Sequence, residues 1–143
     1  MNPRTAVLLL LPLLLGADAA RNELVVNDHE LLQGEWKAVQ ARRGGAPMPQ
    51  DEAARVGIRF AEDKMVLKDR GNEEETSFKL DPQHSPGHID IEMKNAGRKM
   101  VGIYQVDGDT LRLCFSQMGQ RPTSFDTTKN PDAVSVELIR QAK

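Results

Sequence analysis

From about residue 35 onward, hydrophobic and polar side chains alternate with a period of two. Leu111, Leu113 and Phe115 share one face against Arg112 and Cys114. Ile89, Ile91 and Met93 oppose Asp90 and Glu92, and Val134, Val136 and Leu138 oppose Ser135 and Glu137. One face buried and one wet is the pattern of antiparallel sheet. Strands are predicted over 35–41, 56–60, 64–68, 75–80, 88–94, 99–106, 110–116, 123–127 and 133–140. A short helix is predicted over 27–33, capped by Asn27 or Asp28 and ended by Gly34. A second is predicted over 50–55, entered through Pro47 and Pro49, with Asp51 and Glu52 in its first turn.

The connections predict hairpins. Asp107-Gly108 has the composition of a type I′ turn, in which both central residues need positive φ. Glu62-Asp63, Arg70-Gly71-Asn72, Asn95-Ala96-Gly97 and Met118-Gly119-Gln120 are further turns. A meander of short strands loses its edges by closing, so the expected fold is all-β, an antiparallel up-and-down barrel of about eight strands with one or two short helices. A two-sheet sandwich satisfies the same periodicity. The inward set is Trp36, Ile58, Phe60, Met65, Leu67, Phe78, Leu80, Ile89, Ile91, Ile103, Leu111, Leu113, Phe115, Val134, Val136 and Leu138. An eight-strand barrel is just wide enough to be filled by such side chains or to hold one small ligand.

The first twenty residues follow another rule. Arg4 precedes an apolar run over 6–15, and Ala17-Asp18-Ala19 then offers a cleavage pattern. The run is shorter than the roughly twenty residues a membrane-spanning helix needs. It predicts a signal peptide over 1–19, a single domain over 20–143 with its core at about 31–140, and a secreted or periplasmic protein that is not integral to the membrane once cleaved. The chain has 143 residues, enough for one domain. Nineteen Lys and Arg against 21 Asp and Glu give a net charge of −2, without the basic excess of a nucleic-acid binder. Cys114 is the only cysteine, so no intrachain disulfide forms, and its apolar setting in LRLCF predicts a buried thiol.

Candidate chemistry is sparse. No nucleophile elbow, Gly-rich phosphate loop, H-E-x-x-H or paired zinc cysteines occur, and no cofactor is expected. His84 and His88, flanked by Asp81 and Asp90, are the residue types of a zinc or copper site. Pro82, Pro86 and Gly87 forbid the helix that would align them, which favours a solvated loop. Glu73-Glu74-Glu75 is read as a charged strand edge. Tyr104 is an inward phenol with a wet tip. Arg121 either hydrogen-bonds strand-end carbonyls or guards a barrel mouth and meets an anionic ligand.

Leu32-Gln33-Gly34-Glu35-Trp36 leads from the short helix into the first strand, and its Gly-x-Trp resembles the N-terminal signature of the lipocalin superfamily. The resemblance implies a Trp that closes one barrel end beneath an Arg near the last strand, with Arg140 as the first candidate and Arg112 as the second. LQGEW, Phe60 with DKMVL, FKLDP, GIYQVDGDTLRLCF and RPTSF, in that order, resemble a paralogous family of exported planctomycete proteins regarded as lipocalin-like. That family brings no catalytic or ligand residues to carry over. The expected function is a non-enzymatic extracytoplasmic binding module with a small apolar or amphipathic ligand in the barrel, lined by Trp36, Phe60, Tyr104, Leu113, Phe115 and Arg121. The alternative is a protein-interaction domain with a filled barrel.

Overall fold

A computed structural model describes residues 28–116 and 119–142. The predicted signal peptide, the cap at Asn27 and Met118 of one predicted turn lie outside the described residues. Residues 28–32 are helical (α1). There follow β1 (Gly34–Arg43), β2 (Ala46–Pro47), α2 (Gln50–Ala53), β3 (Val56–Ala61), β4 (Lys64–Asp69), β5 (Asn72–Asp81), β6 (Gly87–Met93), β7 (Arg98–Asp107), β8 (Thr110–Ser116) and β9 (Ala133–Arg140). The strands pair in the order β1-β3-β4-β5-β6-β7-β8-β9, and β9 returns to β1. All pairings are antiparallel, so eight strands close into an up-and-down barrel rather than a sandwich. β2 is an added strand of two residues on the end of β1. Among the described residues, no helix is long and apolar enough to cross a membrane.

The closing seam runs from Trp36 opposite Arg140 to Arg43 opposite Val134, with a bulge between Ala38 and Gln40. The bulge adds one residue, Val39, so Trp36 and Ala38 face inward before it and Ala41 after it. One end of the barrel is shut by α1. The Trp36 indole N–H donates to the Leu32 carbonyl at 2.8 Å, and the Arg140 guanidinium lies 4.3 Å over the indole. Arg140 also donates to the carbonyls of Gln33, at 2.8 Å, and Leu31. Arg140 is thus the predicted partner of Trp36, whereas Arg112 stacks on Phe125 at 4.4 Å. Gly34, at φ +117°, makes the joint between α1 and β1, and the site of a Cβ there lies 3.5 Å from an Arg140 nitrogen. At the other end, Val56, Leu67, Met100 and Val136 are half-buried.

Several expectations need correction. Residues 123–127 form no strand. Segment 119–132 instead crosses the outside of β7 and β8, held by local bonds such as Asp126 accepting from the Thr128 N–H and hydroxyl. These short-range partners compete with a ladder. Phe125 on this segment covers Ile103, Cys114 and Ala133 in a second small core. Ile103 therefore faces outward rather than inward, because Gly102 and Tyr104 take the inward positions of β7. Cys114 is buried there as expected, and burial pushes its thiol up to about 11. In the β7–β8 hairpin Asp107 pairs with Thr110, so the turn residues are Gly108 and Asp109. Only Gly108 has positive φ, at +57°, the Gly-X order of a type II′ turn rather than I′. α2 ends at Ala53, two residues early.

Glu73-Glu74-Glu75 lies on a strand edge as expected: these residues pair with β4, whereas β6 meets β5 only over residues 77–81. Glu73 joins Glu35, Lys68 and Arg59 in a ring of ion pairs of 3.0–3.9 Å across the outer face of four strands. Each exposed pair contributes little alone. The core dominates: Trp36→Ala removes a 1% exposed indole and one side of the Arg140 stack. It is expected to cost about 3–5 kcal/mol in chemical denaturation, and an unchanged midpoint would contradict the role assigned to Trp36.

Candidate functional site

The interior of the barrel is filled. Leu32, Met65, Ile89, Leu111, Leu113 and Leu138 have 0% exposed surface, so no water-sized sphere reaches them from solvent or from an internal void. Trp36 and Phe60 expose 1% each, and Phe60 meets Phe78 edge to face at 5.1 Å. Three residues of the predicted lining set, Trp36, Phe60 and Leu113, thus sit in one close-packed cluster. Phe115 belongs to the same cluster but is 9% exposed, and its ring takes the space that a side chain on Gly102 would occupy. Tyr104 is inward, and Arg121 lies elsewhere.

Polar chemistry gathers instead around the shut end. β6 begins at Gly87, opposite Tyr104, so residues 105–107 of β7 run past their neighbour. The chain over 82–86 swings away and leaves a cleft of about 370 Å³. Tyr104 forms its floor. A Cβ on Gly87 would stand 2.4 Å from the Tyr104 ring, so glycine is required for the ring to lie where it does. The phenol donates to Asp28 Oδ2 at 2.6 Å, which ties α1 to β7. Burial, followed by this bond and the charges of Asp28 and Asp81, raises the Tyr104 pKa well above its ordinary value. The phenol is therefore a fixed donor that keeps its hydroxyl proton.

On the outer side of the same loop, His84 and His88 stack face to face, with centroids 3.6 Å apart and planes within 2°. His84 Nε2 lies 3.5 Å from Asp81 Oδ2. Parallel rings at van der Waals distance hold their nitrogens in separate planes, so the pair is poorly placed to converge on one ion. Among the described residues, no group of three His, Cys, Asp or Glu could hold a metal. Burial lowers the His88 pKa, and the charges of Arg121 and His84 add to this against the opposing pull of Asp81 and Asp90. Arg121 donates to the carbonyls of Gly102 at 2.8 Å and Ile89 at 3.1 Å, and pairs with Asp90 at 2.6 Å. It pins segment 119–132 across β6 and β7, bonding mid-strand carbonyls rather than strand ends.

Of the predicted site residues, only Tyr104 lines the cleft. Asp28 was legible as a helix cap, and nothing in its spacing marks it as the partner of a phenol 76 residues away. Comparison of the chain with protein-family models, with curated proteins and with solved structures found no match.

Two measurements test this geometry. Tyr104→Phe leaves Asp28 without its donor and is expected to cost about 1.5–3 kcal/mol, as for a hydrogen bond to a charged group, in urea unfolding. His88 is lowered from 6.5 on folding, so the unfolded chain binds more protons just below that pH. The stability tied to neutral His88 is complete above pH 6.5 and falls as pH drops from there through the lowered folded value. His84→Ala removes one source of the lowering, so its urea midpoint should fall less over the same interval. An equal fall in both proteins would show that the stack is not responsible.

Proposed function

We propose that this chain is an exported, lipocalin-like, non-enzymatic binding module that takes its partner at the surface of a filled barrel. The observation that carries this reading is the absence of exposure at the interior residues. A carrier needs a void of a few hundred Å³ lined by the barrel wall. Here six of the wall and plug side chains have no accessible surface at all. The lipocalin likeness rests on Gly34 and Trp36 at the start of the first strand and on Arg140 stacked over the indole. Export rests on Arg4, the apolar run over 6–15 and the Ala-Asp-Ala that follows. The Tyr104 hydroxyl supports binding rather than catalysis, because its proton is engaged by Asp28.

Trp36 is the only tryptophan and lies in the barrel interior, so it reports on the lumen directly. Titration of the mature protein with pyrene and with palmitic acid is expected to leave its emission unchanged, with no stoichiometric uptake. One-to-one uptake accompanied by a change in Trp36 emission would return the ligand to the lumen and overturn the surface reading.

A further inference from the structure

The cleft beside Tyr104 has a defined chemistry of its own. Its floor is a phenol locked to a carboxylate, and its walls include Pro86, Val106 and Phe125. The carboxylate is Asp28, which is half-buried. Among the described residues, Asp28 has one bonded partner, the neutral Tyr104 hydroxyl, and no cation within ion-pair distance. Asp81 adds a second negative charge close enough to act on Tyr104. The nearby cations are committed elsewhere. Arg121 is bonded to Asp90, and Arg112 is stacked on Phe125 and donates to Gln105 at 3.4 Å behind the cleft wall.

A carboxylate shielded from water on one side and bordered by rings and aliphatic groups favours one kind of guest. A cation gains from the carboxylate, and its organic body covers apolar wall that water covers poorly. An anion would meet uncompensated negative charge, and a neutral molecule would forgo the charge-assisted bond. The volume of about 370 Å³ lies within the range of small-molecule sites. We propose that this cleft binds a small primary organic ammonium, its N–H groups donating to Asp28 and its apolar body lying along Pro86 and Val106.

This assignment rests on the surface-binding reading and names a ligand class for it. The site shares Tyr104 and Val106 with the core and differs from the lumen in its carboxylate and its loop wall. Asp28 lies outside the interior cluster, and Pro86 and Gly87 belong to the loop and strand start that interrupt the barrel wall. Gly87 is what lets the phenol stand at the cleft floor, because any side chain at 87 would collide with the Tyr104 ring.

The test is calorimetric titration of the mature protein with phenethylammonium chloride at pH 7.5, with 2-phenylethanol as the uncharged counterpart. Saturable one-to-one binding is expected, with the alcohol weaker by about tenfold or more, the scale of one charge-assisted contact. Asp28→Asn keeps an acceptor for Tyr104 while removing the charge, and should weaken phenethylammonium by a similar factor and leave the alcohol unaffected. Gln105→Lys puts a tethered ammonium on an exposed residue of the same cleft wall. It should abolish uptake in a protein whose Trp36 emission is unchanged, and it stands as the second variant should Asp28→Asn fold poorly. No saturable heat with the wild-type protein, equal affinity for amine and alcohol, or full binding by Gln105→Lys would each overturn the proposal. If pyrene and palmitic acid also leave Trp36 unaffected, that failure removes the ammonium site alone, whereas their uptake in the lumen would remove the surface reading beneath it.

Discussion

A strand barrel has two ends where side chains run out, and one of them here is finished by a helical turn whose own carbonyls need partners. Arg140 meets both needs at once. Its guanidinium covers the flat face of Trp36 and donates to the carbonyls of Leu31 and Gln33, groups that the end of a helix leaves unsatisfied. Trp36 returns a bond to Leu32, whose side chain is wholly buried. With α1 fixed in this way, other contacts follow without further adjustment. His29 stacks on Phe78 at 5.6 Å, and Gln33 exchanges hydrogen bonds with the backbone of Glu62 in the β3–β4 turn. Asp28 comes to rest against Tyr104. The placement of the cleft is thus a consequence of how the barrel is shut.

The interior is filled with few large rings. The chain has one Trp, one Tyr and four Phe. Two of these rings, Tyr104 and Phe115, lie over glycines of the neighbouring strand, Gly87 and Gly102, where a Cβ would approach to 2.4 and 2.7 Å. Covering a strand glycine with a cross-strand ring protects an otherwise bare backbone and fills space economically. The same device has opposite outcomes at its two positions. At Gly102 it completes packing, while at Gly87, where the strand is just beginning, it leaves a ring edge and a hydroxyl facing a gap. Packing in the wall and the cleft at its interruption come from one structural habit.

The barrel was legible because period two survives in most strands and because each hairpin carries its own turn residues. Arg70-Gly71, both at positive φ, form the turn that Asp69 and Asn72 close, and the face of Leu111, Leu113 and Phe115 is inward as its alternation requires. Alternation failed where both faces of a strand are covered. Ile103 and Cys114 are apolar and outward because segment 119–132 lies over them, and a pattern that assumes one wet face assigns Ile103 to the wrong side. The same segment imitates a strand in composition, yet Asp126, Thr127, Thr128 and Asn130 spend their bonding on local turns and on Gly45. The cleft was least legible. It depends on where β6 starts relative to β7 and on a bond between residues 28 and 104, and no local pattern encodes either.

The strand neighbours of this barrel lie adjacent or next but one along the chain, apart from the seam between β1 and β9. Hairpins form from nearby residues, whereas the contacts of Arg140 with Gln33 and Leu31 span 107 and 109 residues and are entropically the most demanding to bring together. The densest set of bonds at the shut end therefore sits on the junction that assembles against the largest loss of chain freedom. A meander of hairpins already formed shortens the effective search for that junction, and the Trp36–Arg140 stack then acts as a latch. Until it engages, β1 and β9 present unpaired edges, which makes completion of the seam the step that separates a closed monomer from chains able to pair with one another.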